Sequence, residues 1–393
     1  MLGLDTSRWE RVRFGDVVRN VNESVRDVAE AGIDRIIALE HLDPGEVTIQ
    51  RYGDAAEGTT FTRRVRPGQT LFGKRRAYQR KAAYAEVDAV CSGDILVFEA
   101  LPGRLSSRLL PFLVHSAPFF DHAVGTSAGS LSPRTSWKAL ATFEFDLPPL
   151  DEQERLADLL WATHRHRVKA RDIVSASAAS ASCDLRIKLD RPNGRICSIR
   201  DLCREVVGGI WGHEAGVSEV DVLALGPRVY RSDSVFIDPA GSPWRSISSK
   251  QAASRLIRPG DIVLERSGGS ADQAVGRVVL AGAELPPCVP TDFQRLLRPD
   301  TDQVLPEYLY WRLRLDREAG KTLRHSRKTT NITNLDVPAY LARQISVPSL
   351  QDQTKLVESA QASTRSQSRL EHEVLAITEL AATLNAALFG GHR

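Results

Sequence analysis

The sequence predicts an α+β protein written twice: two similar globular halves, each followed by a long helix, with the two helices packing as an antiparallel coiled coil. Three observations predict it. Leu147-Pro-Pro-Leu-Asp-Glu-Gln153 is echoed by Val347-Pro-Ser-Leu-Gln-Asp-Gln353. Earlier in each half, Arg66-Pro-Gly-Gln-Thr-Leu71 is echoed by Arg258-Pro-Gly-Asp-Ile-Val263, and Phe14-Gly-Asp-Val-Val-Arg19 more weakly by Ile199-Arg-Asp-Leu-Cys-Arg204. Finally, neither Gly nor Pro occurs between Asp151 and Arg191 or between Gln351 and Phe389, so both stretches read as uninterrupted helix. A repeat of this length is a duplicated domain, since solenoid units run only to about 50 residues. The implied boundaries are a first domain over 1–149, a helix over 150–192, a second domain over 193–348 and a second helix over 349–393.

Within the halves, RIIALEHL, VTIQRY, GDILVFEA, EVDVLAL, GDIVLER and GRVVLA are short, β-branched and bounded by Gly, Pro or Asp, as strands of an antiparallel or mixed sheet are. LLPFLVHSAPFFDHAV and LPEYLYWRLRLDREAG read as a helix at equivalent positions. Each long helix would measure roughly 60 Å at 1.5 Å per residue. In the second, Leu356, Ala360, Leu370, Val374, Ile377, Ala381, Leu384 and Leu388 fall on three- and four-residue steps, interrupted at Ser363 and Gln367. Leu156, Leu160, Ala170, Val174 and Ala181 hold the same phase in the first. The packing between helices is therefore assigned to Leu156, Leu160, Val174, Leu356, Leu370, Val374, Ile377 and Leu384. The Ala/Ser tract Ser175–Ser182 fits close helix approach, with a flexible linker as the competing reading.

At 393 residues the chain exceeds one hydrophobic core, and with 42% hydrophobic and 26% charged residues it is not disordered. A net charge of +3 argues neither for nor against a polyanionic partner, so local clustering has to decide. Five cysteines without a C-x-x-C pair read as buried thiols of a reducing compartment. The N-terminus has no apolar signal region and no run of about 18 apolar residues occurs, so the expected location is the cytoplasm, away from membranes.

No reaction is carried convincingly. Gly68, Gly73 and Lys74 have the G-x-x-x-x-G-K spacing of a phosphate-cradling loop, but Arg75 stands where a magnesium-holding Ser or Thr belongs. The second copy keeps only the Pro-Gly turn, reading DIVLERSGG, so the residues from Gly73 onward belong to the first half alone. The pairs Leu147-Pro-Pro-Leu150 and Leu285-Pro-Pro-Cys288 lack the polar and aromatic flanks of amino-methyltransferases. Gly208-Gly-Ile-Trp-Gly212 reads as a turn, Asp261-Ile-Val-Leu-Glu265 lacks the lysine of a nuclease pair, and His164 and His166 read as a solvated helix face.

Charge does cluster. Arg63, Arg64, Arg66, Lys74, Arg75, Arg76, Arg80 and Lys81 lie in one run with Phe61, Phe72 and Tyr78 and without an acid; Arg324-His-Ser-Arg-Lys-Thr-Thr-Asn331 is a second such run. Such side chains neutralise phosphates and read base edges of a duplex, whereas an isolated charge run is usually a solvated face. The candidate DNA-binding residues are Arg63, Arg64, Arg66, Lys74, Arg75, Arg76, Tyr78, Arg80 and Lys81, with Arg324, Arg327, Lys328 and Asn331 in the second half.

With the duplication, Trp9-Glu-Arg-Val-Arg-Phe-Gly-Asp-Val17, Gly68-Gln-Thr-Leu-Phe-Gly-Lys-Arg-Arg-Ala-Tyr-Gln-Arg-Lys81 and Leu147-Pro-Pro-Leu-Asp-Glu-Gln153 make the chain resemble the specificity subunits of type I restriction-modification systems. The resemblance covers nearly the whole chain and implies two target-recognition domains that read a split double-stranded DNA sequence. It implies helices that fix the spacing of the domains and dock two modification subunits, with restriction subunits completing the assembly. The chain itself would be non-catalytic and hold no cofactor, S-adenosylmethionine and ATP belonging to partner subunits. Two alternatives stay open: a nucleotide-binding enzyme using Gly68 to Lys74, and a protein-binding scaffold that does not touch DNA.

Overall fold

The computed structural model describes residues 5–191, 194–231, 234–268, 274–328 and 332–390. They form two compact units, Met1–Asp172 with His372–Arg393, and Ile173–Glu371, so that each long helix is divided between the units.

In the first unit Glu10–Arg13 pairs antiparallel with Glu144–Leu147. Behind this pair, Val18–Val21, Ile95–Ala100, Thr70–Gly73 and Ala82–Tyr84 form an antiparallel sheet in that order. A second sheet, Gly53–Asp54, Arg35–Ile37, Ala89–Cys91 and Arg63–Val65, is mixed, because Ile36 and Val90 pair in parallel. The core between sheet and helices is aromatic: Phe14, Phe72, Phe98 and Phe119 are buried, with ring centroids 4.9 to 5.9 Å apart. Each such contact contributes roughly 1 kcal/mol beyond area burial.

The second unit repeats the strand pair and the two four-stranded sheets and adds a short three-stranded sheet. Arg195–Ser198 pairs with Gln344–Val347. Cys203–Gly208, Gln294–Pro299, Ile262–Glu265 and Val278–Leu280 form the antiparallel sheet. His213–Glu214, Trp244–Ile247, Val220–Leu225 and Cys288–Pro290 form the mixed one, again with one parallel pair. The Pro-Gly turns are the same device in both copies. Gly68 and Gly260 adopt φ of +91° and +84°, a region glycine enters without steric cost. The next side chain closes each turn: Gln69 Oε1 accepts from the Arg66 amide and Asp261 Oδ2 from the Arg258 amide, both at 2.8 Å.

Several local expectations are corrected. The stretch 109–124 is not one helix but two, Leu110–Val114 and Ala117–Gly125, because Ser116 turns extended to cap the second and Pro118 lacks the amide to continue the first. RIIALEHL gives the strand Arg35–Ile37 and then a helical turn, Leu39–His41. VTIQRY contributes only a bridge between Thr48 and Tyr84. Cys91, Cys203 and Cys288 are buried, which pushes the Cys91 and Cys203 thiols up to about 12, but Cys183 is exposed on its helix. No helix among the described residues is long and apolar enough to cross a membrane.

The long helices run Leu150–Leu189 and Leu350–Phe389, and Ser175–Ser182 is helical throughout. In the first unit Leu156, Leu160 and Trp161, near the start of one helix, share a buried cluster with Leu384, Leu388 and Phe389 at the end of the other. In the second unit Leu185 and Leu189 meet Val357 and Ala360, with Leu356 packed alongside. Start meets end both times, so the helix segments within each unit are antiparallel. Val174, Leu370, Val374 and Ile377 are half-buried.

One side chain ties each helix to its domain. Gln153, 1% exposed, accepts from the Ser106 amide at 2.8 Å and donates to the carbonyls of Arg104 at 3.1 Å and Pro148 at 2.8 Å. Gln353, 0% exposed, accepts from the Leu305 amide at 2.8 Å and donates to the carbonyls of Gln303 at 3.3 Å and Pro348 at 3.0 Å. Replacing either glutamine with leucine leaves three buried backbone groups unpaired, and the expected loss in urea unfolding is about 3 kcal/mol.

A second outcome concerns pH. Burial pushes the imidazoles of His115 and His164 down to about 4. His164, 5% exposed, bonds Thr48 Oγ1 at 3.2 Å, which corrects the expectation of a solvated face. Below about pH 6.5 the unfolded chain takes up protons that the folded unit refuses until about 4, so this contribution stands in full above 6.5 and is lost as pH falls. The melting temperature of His164→Gln should therefore vary less than that of the parent between about pH 7 and pH 5.

Candidate nucleic-acid interface

The basic run of the first unit separates into two groups. Arg63, Arg64 and Arg66 lie on or beside the strand Arg63–Val65, and acids distant in sequence meet them there. Arg64 chelates Asp88 at 2.5 and 3.0 Å, and Arg66 chelates Glu23 at 2.7 and 2.9 Å, holding the Glu23 carboxyl below its usual range. Arg63 donates to Asn22 at 3.0 Å and to the Ile95 carbonyl. The run that is free of acids in sequence is not free of them in space.

The second group occupies the connection between Thr70–Gly73 and Ala82–Tyr84. Its backbone is under strain: Arg76 and Arg80 adopt φ of 54° and 53°, the only non-glycine residues in the left-handed region among those described. Holding them there costs roughly 1–2 kcal/mol each. They flank a single helical turn, Ala77–Gln79. The Arg76 amide is tied to the Pro133 carbonyl at 2.7 Å, and the Lys74 carbonyl accepts from Thr135 at 3.0 Å. Arg75 and Arg76 both reach Ser132 Oγ at 3.4 Å, Arg75 stands 3.6 Å from Asp94, and Lys81 donates to the Leu39 carbonyl at 2.6 Å. The Arg80 guanidinium lies 5.3 Å over the Phe120 ring, and Tyr78 is 57% exposed. Lys74 forms no ion pair among the described residues.

The second unit presents its charge from the same place. Lys74 directly follows the strand Thr70–Gly73 and its amide donates to Asp94; Arg266 directly follows Ile262–Glu265 and its amide donates to Phe293. The Arg266 carbonyl accepts from Leu335 at 2.7 Å, as Lys74 accepts from Thr135. Arg75 then bridges Arg134, and Ser267 pairs with Asn334. Arg324 lies in the turn Leu323–His325, while Arg327 and Lys328 lie on Ser326–Lys328, which joins Ser267–Gly268 through the strand Thr333–Leu335. Arg200, Arg266, Arg295, Arg327 and Asn334 line a cavity of about 980 Å³. Asn331 lies outside the described residues.

No family model matches the sequence, and no curated protein matches it. Solved structures do match. A chain from a study of complex assembly and conformational transition in the type I restriction-modification system is similar with a TM-score of 0.63, at 17% identity over 96% of this chain and 96% of that one. The type I restriction-modification S subunit from M. genitalium is similar with a TM-score of 0.58, at 12% identity over 100% of this chain and 98% of that one. The chain has the type I S-subunit fold.

On the S-subunit fold, the phosphate-loop spacing of Gly68 to Lys74 loses its meaning. A phosphate cradle needs free amides between the glycines and a helix after them. Here residues 70–73 are a central strand paired on both edges, to Ile95–Phe98 and Ala82–Tyr84, and one helical turn follows. Asp261 and Glu265, the nuclease-like pair, are buried in ion pairs with Arg298 and Arg277. Gly209 closes on the backbone of Thr291, and Trp211 stacks under Arg245 at 5.0 Å.

The second copy has no lysine at this position, and Arg266 stands in its place. Extending the Arg66 and Arg258 echoes without a gap aligns Lys74 with Arg266, a signal present in the sequence. Arg200, Arg295 and Asn334 carried no such signal, being single residues far apart in the chain.

Proposed function

We propose that this chain is the DNA-specificity subunit of a type I restriction-modification complex, working in the cytoplasm. Each unit reads one part of a split duplex target with the basic edge that follows its central strand. The observation that carries this reading is the repeated placement of a cation, Lys74 and Arg266, at the same point of two domains on the S-subunit fold. Around that point the units differ. The first offers Arg75, Arg76, Tyr78, Arg80 and Arg134; the second offers Arg295, Arg324, Arg327, Lys328 and Asn334. Cations neutralise phosphates on any duplex, whereas Arg, Asn and Ser also discriminate base edges, so a constant position with variable neighbours suits two different half-sites.

The chain itself performs no chemistry in this reading. Two modification subunits bring S-adenosylmethionine and methyl transfer, restriction subunits bring ATP and cleavage, and the long helices offer docking surfaces for them. The nucleotide-enzyme alternative is disfavoured by the pairing of residues 70–73 on both edges of the strand.

The test is duplex binding by the chain assembled with a modification subunit, measured against salt. Lys74→Ala with Arg75→Ala and Arg76→Ala should weaken binding and lower the log–log salt slope by about 0.9 for each phosphate no longer neutralised. Unchanged affinity and slope would remove these residues from the interface. Failure of the parent assembly to retain any duplex would favour the scaffold reading instead.

A further inference from the structure

Three arginines of the second unit are matched to carboxylates. Arg277 is matched to Glu265 at 2.6 Å, Arg298 to Asp261 at 3.0 Å, and Arg312 to Asp316 at 3.5 Å. Each of these carboxylates is itself buried. Matching is what makes a buried guanidinium tolerable, because an unpaired charge away from water is costly.

Arg295 is not matched in this way. It is half-buried and is pinned by its own Nη1 bond to the Gln294 carbonyl at 2.8 Å, with Gly208 opposite it in the sheet. It forms no ion pair among the described residues. Burial first, then the charge of Arg266, hold its proton less tightly than usual, with Asp292 acting the other way. Both arginines line the 980 Å³ cavity, with Arg200 and Arg327 beside them. The two acids on the same lining are occupied elsewhere: Asp201 accepts from the Ser198 amide at 3.1 Å and Asp336 caps Ala339 at 3.1 Å. Neither pairs with an arginine among the described residues. Two cations thus line one cavity with no carboxylate in an ion pair with either among the described residues.

We propose that the counter-ion of this pair is a phosphate group, and that Arg266 and Arg295 clamp one phosphodiester of the duplex in this cavity. The assignment rests on the DNA-reading function proposed above, but the site makes its own demand: in the free protein the pair is a liability. Removing Arg295 should therefore stabilise the free chain while weakening DNA binding, an opposition that an arginine with a merely structural role would not show. Arginine suits the task because its planar fork donates two parallel bonds to one phosphate.

The experiment uses the full chain with Arg295→Met, which keeps the apolar stem, and, in parallel, the exposed Arg266→Gln, in case the first does not fold. Thermal melting is followed in sodium phosphate and in sodium chloride of equal ionic strength, and duplex binding with the modification subunit is followed against salt. The expected result has three parts: a melting temperature a few degrees above the parent in chloride, loss of the extra stabilisation that phosphate gives the parent, and a salt slope lower by about 0.9 per phosphate no longer neutralised. A melting temperature below the parent for both variants, with phosphate still stabilising them, would overturn the clamp. Duplex affinity and slope unchanged in both variants would also overturn it, and would leave the DNA-reading function standing. A phosphate response in a parent chain that never retains duplex would overturn the phosphodiester assignment together with that function, leaving only a site for free phosphate.

Discussion

The buried carboxamide at the start of each long helix is the interaction on which the rest of this architecture depends. Where the last strand of a domain ends, Pro148 or Pro348 presents a carbonyl in a dry place, and a neighbouring loop brings an unpaired amide and a second carbonyl. Only a side chain that both donates and accepts can satisfy all three; a carboxylate would repel two of them and leucine would satisfy none. Gln153 and Gln353 do so from the first turn of helix, so the direction in which each helix leaves its domain is set by hydrogen bonds rather than by apolar contact alone. The apolar clusters around Leu156 and Leu160, and around Val357 and Ala360, then hold what the glutamine has aimed.

The duplication is deeper than the letters suggest, and the reason is chemical. In the second unit Asp261 binds Arg298, which also binds Glu205. At the corresponding places of the first unit Gln69 binds Glu99, which also binds Arg19. The geometry is kept while the charges are exchanged, so a comparison of sequences sees three differences where the fold sees one network. The features that could be read directly were those whose chemistry permits no exchange: the glycines in left-handed turns, the glutamines, and the helical stretches free of Gly and Pro. The mixed sheets were legible only as strands, because which strands pair in parallel depends on contacts far apart in the chain.

The same distance in sequence limited the reading of the basic surface. Arg64 and Arg66 looked unopposed until folding brought Asp88 and Glu23 to them. Arg295 looked like one arginine among many, and what sets it apart is the cavity it lines with Arg266 and the lack of an ion pair among the described residues. The residues left displaying charge, Lys74 to Lys81 in one unit and Arg266, Arg295 and Arg327 in the other, sit on a scaffold that is over-determined elsewhere. That surplus is what allows the strained backbone at Arg76 and Arg80 to persist. A fold that keeps one cation position constant and lets its surroundings vary can carry two specificities in one chain.

Hydroxyl-radical footprinting of the chain with its modification subunit on a duplex carrying the target tests this account most directly. The account expects two protected stretches separated by accessible sugar-phosphate backbone, with changes at Lys74 to Arg76 erasing one stretch and changes at Arg266 and Arg295 erasing the other. A single continuous footprint, or one that either set of changes erases entirely, would contradict it.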